Sequence, residues 1–163
     1  MQLILKNKDT LLLGEFKFKC SIGKNGTTLN KVEGDKKTPK GVYSLGPLFF
    51  RKDKFKNLET KIKKIPIKKN MGWCDDINSK NYNQLIKINK KIKHEKLFRK
   101  DTSYDLLIPI NYNTKKPIKK KGSAIFIHLT SNYKKTLGCI ALKKNDLIIL
   151  LRLINKKTKI KIL

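Results

Sequence analysis

Apolar and polar residues alternate from the start of the chain. Phe16, Phe18, Cys20 and Ile22 alternate with Glu15, Lys17, Lys19 and Ser21, the two-residue period of a strand with one buried face. Turn residues follow at 23–26. A second turn-rich stretch, 33–41, leads into Val42-Tyr43-Ser44-Leu45, predicted as another strand. The lysine-rich segment 51–70 reads as loop with a short strand over 62–67. Residues 105–111 predict a strand and 113–122 a basic turn region. The run Ser123-Ala124-Ile125-Phe126-Ile127-His128-Leu129 is apolar on both faces, as a central strand is. His128 falls at its end, sharing a face with Ala124 and Phe126. A loop then reaches Gly138-Cys139 and the short apolar run Ile140-Ala141-Leu142. Leu147, Leu150, Leu151 and Ile154 form a helical stripe with Asn145 as the predicted N-cap, and 158–163 predicts a closing strand.

With no repeat and no linker, the pattern predicts one domain over 1–163, mostly β with one or two helices. A chain of 163 residues can bury a core. At the start, the apolar runs at 3–5 and 11–13 are broken by Lys6, Lys8 and Asp9. A secretory signal needs about 7–15 unbroken apolar residues, so none is visible. No segment has the length of a membrane span.

Charge changes the picture next. Forty basic residues against twelve acidic give a net charge of +28, which suggests an anionic partner. Yet only Arg51, Arg99 and Arg152 are arginines, and phosphate and base recognition favours the planar, bidentate guanidinium. The lysines are spread along the chain beside abundant Asn and Ile, as in products of A/T-rich genomes. No specific nucleic-acid partner is expected. A non-enzymatic, lysine-rich binder of nucleic acid or another anionic polymer stays as the alternative function.

Three cysteines, Cys20, Cys74 and Cys139, form no zinc pattern with His94 and His128, so no metal is expected. Cys20, in an alternating run, reads as a small core residue. Cys139 differs because Gly138 precedes it and a strand-end histidine lies upstream. A free thiol is mostly protonated at neutral pH. An imidazole in reach can take its proton and form a thiolate–imidazolium pair. Glycine permits an unusual φ and close approach, and main-chain N–H groups around Gly138 and Cys139 suit an oxyanion.

These residues carry a resemblance. Ser123 to His128 followed by Thr136-Leu137-Gly138-Cys139-Ile140-Ala141-Leu142 resembles the signature of the L,D-transpeptidase (YkuD) domain: a strand-end His, then a Ser/Thr-x-Gly-Cys turn. Gly34-Asp35, Thr38-Pro39 and Gly41-Val42-Tyr43 resemble that family's TP-x-G segment. Gly72 to Asp76, Tyr82-Asn83 and His94 to Arg99 are similar to a short, single-domain proteobacterial branch. The likeness spans roughly 15–163.

The resemblance implies a β-sandwich or partly open barrel, Cys139 as nucleophile, His128 as base, and Thr136 and Gly138 in the turn shaping the oxyanion hole. The implied substrate is a peptidoglycan stem peptide. Its third-residue carbonyl is attacked, D-alanine leaves, and an amine or water resolves the acyl-enzyme. No cofactor is implied, and a monomer is expected. Two positions depart from the family: Leu137, where a second histidine is frequent, and Ala141, where Asn or Arg is frequent. Further substrate contacts are read at Trp73, Asp75 and Asp76, an acidic pair beside an aromatic that suits a diamino acid's amine. The alternative there is a loop anchored by Trp73 and capped by Asp75. His94-Glu95 divides the same way, and Arg99 is a candidate partner for a carboxylate. The substrate implies the periplasm or cell envelope, whereas the missing signal leaves the cytoplasm open.

Overall fold

The computed structural model describes residues 2–163. β1 (Gln2–Leu5) and β2 (Thr10–Leu13) form a hairpin, and β3 (Phe16–Ser21) extends it antiparallel. β4 (Thr27–Thr28) and β5 (Thr38–Pro39) pair across a long polar loop. Then come β6 (Gly41–Ser44), β7 (Leu48–Phe50) and β8 (Lys64–Pro66). β9 (Met71–Cys74) is flanked antiparallel by β10 (Leu85–Lys87) and β11 (His94–Lys96) in a small separate sheet. β12 (Leu106–Pro109), β13 (Phe126–Leu129), β14 (Ile140–Leu142), helix α1 (Lys144–Leu153) and β15 (Lys159–Ile162) complete the order.

The main sheet runs β6-β15-β1-β2-β3-β14-β13-β12-β7-β8. β6 and β7 follow one another in the chain but stand near opposite ends of that order, so the sheet must curl until its ends approach. The closure is visible where Leu45 bridges Ile110 and the Gly46 N–H donates to the Pro109 carbonyl at 2.7 Å. The result is a partly open barrel, mostly β with one helix.

Alternation along the central strands sorts side chains onto two faces. Ile127 and Leu129 of β13, with Ile140 and Leu142 of β14, enter the main core beneath Leu147, Leu150 and Leu151 of α1. Each such fully buried side chain contributes about 1.5–3 kcal/mol. Phe126 faces the other way, into a second cluster with Trp73, Leu97, Tyr104, Leu107 and Cys139. The small sheet covers this second face, and the site is built on it.

Two readings are corrected and a third is given its structural reason. The helix starts at Lys144 with Lys143 at the N-cap and no side-chain cap, so Asn145 lies inside it. Its start is fixed by burial of Leu147, whose N–H bonds the Lys143 carbonyl at 3.0 Å. The run 123–129 is a strand only from Phe126, because Ala124 has φ +53, a backbone region uncommon for a residue with a Cβ. The polar residues 6–9 that break the early apolar run form the turn between β1 and β2.

Candidate active site

β13 and β14 run parallel, with Ile127 opposite Ile140 and His128 opposite Ala141. Extending that register sets Cys139 opposite Phe126, diagonal to His128 on the same face. Two residues of strand rise and one strand spacing put their Cα atoms about 8 Å apart, within the joint reach of a thiol and an imidazole. Both side chains line one cleft of about 640 Å³.

The thiol is held from both sides by the backbone before β13. The Phe126 N–H donates to Sγ at 3.3 Å, and Sγ–H donates to the Ala124 carbonyl at 3.2 Å. The left-handed turn at Ala124 therefore has a local purpose: it aims a carbonyl at the sulfur. Asn83 supports the same turn, its Oδ1 accepting from the Ala124 N–H at 3.0 Å. Burial, followed by the charge of Glu95, pushes the Cys139 thiol up to about 12.

On His128, Nδ1 lies 2.9 Å from the Leu129 carbonyl. A carbonyl only accepts, so Nδ1 carries the proton and Nε2 is the free base. Burial lowers the imidazole's affinity for a second proton. The resting pair is thus a neutral thiol beside a neutral imidazole, not the ion pair that a Cys/His pairing suggests. Nucleophilic attack by a thiol in this state would need proton transfer to accompany it.

Tyr104 packs edge-on against both His128 and Phe126, with centroids 5.4 and 5.8 Å away. Its hydroxyl donates to Glu95 Oε2 at 2.5 Å, and the Arg99 guanidinium lies 4.7 Å from the ring centroid. Glu95 is held above the usual carboxylate range by burial, with the charge of Asp75 adding to it. Glu95→Gln removes a negative neighbour of the sulfur. It is therefore expected to move the pH curve of Cys139 alkylation by iodoacetamide to lower pH, speeding modification several-fold at pH 8. Alkylation followed by peptide mapping measures this, and an unmoved curve would take Glu95 out of the thiol's field.

Other site candidates separate into two groups. Thr136, Asp75 and Arg99 line the cleft, as does the exposed Leu137. The Thr136 hydroxyl donates to the Cys139 carbonyl at 2.6 Å and accepts the Gly138 N–H at 3.1 Å, tying the turn together. Trp73, Asp76 and His94 lie outside the lining. The Trp73 indole is 8% exposed, donates to Asn83 Oδ1 at 2.9 Å and packs edge-on against Phe126. Asp76 Oδ1 caps a turn through the Asn78 N–H, and the His94 ring rests over Gly72.

Sequence reasoning passed over Glu33 as a cleft residue. Its carboxylate accepts from Tyr82 and from Ser123, and with Asp75 and Glu95 it gives the cleft three carboxylates. Asp75 and Glu95 are already marked by their neighbours in the sequence; only a scarcity of acidic residues in so basic a chain could have drawn notice to Glu33. Asp75 Oδ1 is buried without a partner, and burial raises this carboxyl against the pull of Lys93. No group of three or more His, Cys, Asp or Glu suited to a metal ion occurs among the described residues.

A protein-family model described as the L,D-transpeptidase catalytic domain matches residues 2–162. Comparison with curated proteins returned no match.

Proposed function

Because this chain belongs to the L,D-transpeptidase catalytic-domain family, we propose that it transfers acyl groups of peptidoglycan stem peptides through a thioester on Cys139. The observation that carries this reading is the shared cleft. A nucleophile and an unprotonated imidazole nitrogen stand on one strand face, open to one space.

The chemistry follows from the hydrogen bonds. When the carbonyl of the third residue approaches, the thiol leaves the Ala124 carbonyl and its proton passes to His128 Nε2. Sulfur bonds to the carbonyl carbon, and the electron pair moves to oxygen. Gly138's amide is occupied by Thr136, whereas the Cys139 N–H makes no hydrogen bond among the described residues and is free for the oxyanion. One such donor is worth about 3–4 kcal/mol of barrier. Collapse breaks the peptide bond, and Nε2 returns the proton to the departing D-alanine amine. A second stem-peptide amine, or water, then gives a proton to Nε2, attacks the thioester and restores the thiol. The bond from Nδ1 to Leu129 steadies the imidazolium formed in each half.

The cleft also fits the substrate's charges. Glu33, Asp75 and Glu95 suit the side-chain ammonium of a diamino acid, and Arg99 suits a carboxylate. Such substrates lie outside the cytoplasmic membrane, so we place its action in the cell envelope. No described helix is long and apolar enough to cross a membrane.

Incubation with a disaccharide tetrapeptide is expected to release D-alanine. A dimeric product identifies crosslinking and a tripeptide identifies hydrolysis, while a substrate left intact would overturn the proposal.

A further inference from the structure

Thr38 belongs to the turn-rich segment leading into β6, far from Cys139 in sequence. It is 0% exposed. Its hydroxyl accepts the Gly23 N–H at 3.0 Å and donates to the Gly138 carbonyl at 2.8 Å. The acceptor is the carbonyl of the peptide unit whose N–H belongs to Cys139. That unit is planar and trans, so its C=O and N–H point in opposite directions. Fixing one fixes the other.

The surroundings leave the bridge little freedom. Gly138 has φ +141, and a Cβ there would meet the Lys37 carbonyl oxygen at 2.9 Å. A Cβ on Gly23 would meet the Lys36 carbonyl oxygen at 2.5 Å. Residues 36–38 are therefore pressed against two glycines, one on each side of the hydroxyl. The close approach that Gly138 permits is to the chain's own backbone at 37. Thr136 grips the same turn from its other end, through the Gly138 N–H and the Cys139 carbonyl. The Gly138 carbonyl, which sets the direction of the Cys139 amide, is the group left to Thr38.

We propose that Thr38 is a positioning residue for the oxyanion hole: its hydroxyl, braced by Gly23, sets the plane of the Gly138–Cys139 peptide so that the Cys139 N–H meets the developing oxyanion. The assignment rests on the acyl-transfer reading above. Without the hydroxyl the peptide can rotate, and the donor is lost when charge appears on oxygen. The thiol's own contacts, the Phe126 N–H and the Ala124 carbonyl, do not pass through Thr38.

Two reactions of the same sulfur separate these effects. Acylation by a β-lactam develops an oxyanion; alkylation by iodoacetamide displaces iodide and develops none. Thr38→Val is expected to slow Cys139 acylation and the kcat for D-alanine release about 10²- to 10³-fold, the cost of losing one oxyanion donor. KM and the alkylation rate should stay within about threefold, and Thr38→Ser should restore acylation. Thr38→Ala removes the same hydroxyl without a second branch methyl and should split the two rates in the same way, so the test stands if valine disturbs folding. Equal slowing of acylation and alkylation, or failure of serine to rescue, overturns the assignment. An acylated wild type with an equally fast Thr38→Val variant overturns it alone. A wild type inert to both β-lactam and tetrapeptide overturns the acyl-transfer reading, and this assignment with it.

Discussion

Cys139→Ala is expected to abolish acylation by a carbapenem-type β-lactam and to cut D-alanine release by at least about 10⁴-fold, because no neighbouring group can replace the sulfur as nucleophile. The fold should persist. Cys139 is a small side chain in the second cluster, and deleting one buried heavy atom costs about 1 kcal/mol. Intact-mass spectrometry with peptide mapping checks the first point and circular dichroism the second. An adduct on Cys20 or Cys74, both buried away from the cleft lining, would count decisively against Cys139. Burial holds the Cys20 thiol up at about 12 as well, but Cys20 stands opposite Leu142 on the main-core face, whereas His128 stands opposite Ala141 on the other face. What distinguishes Cys139 is an imidazole, that of His128, lining the same cleft.

The second large effect is at the base. His128→Ala is expected to lower kcat/KM by about 10²–10⁴, the usual span for one acid–base group. The pH profile supplies the sign. The imidazole acts only when neutral, and burial lowers its pKa from the usual 6.5. Wild-type kcat/KM should therefore rise with pH through a midpoint below 6.5 and then stay level, because the thiol does not ionise in that range. The variant should lack this acidic limb. Stopped-flow acylation across pH 4.5–9 measures both, and an identical limb in the two proteins would assign the titration to another group.

Much of this arrangement can be read from the chain alone, for physical reasons. Phe18, Cys20 and Ile22, like the closing Ile160 and Ile162, alternate with polar residues because their face is buried in the main core, whereas Phe16 at the start of β3 is 48% exposed, beyond the reach of that core. His128 and the Gly-Cys turn are conspicuous because the proposed chemistry demands those residue types. The small sheet is a different case. β10 and β11 are three residues each, too short to show a period, and His94-Glu95-Lys96 has no apolar member. Ala124 is hidden for another reason: an alanine in an apolar run looks like strand, and its left-handed turn comes from contacts with Asn83 and Cys139 distant in sequence. Thr38 is marked in the sequence only by its likeness to the TP-x-G segment; what its hydroxyl touches is not legible there, since both of its partners are main-chain atoms distant in sequence.

The seam of the sheet bears on how the protein is made. β15 lies between β1 and β6, paired parallel to one and antiparallel to the other. As the nascent chain leaves the ribosome, β6 emerges early with no neighbour on the side where β15 will lie. Its docking must wait for a segment synthesised much later, a long-range closure of the kind that slows folding. Until then Val42, half-exposed even in the finished molecule, sits on a bare strand edge that a chaperone could shield.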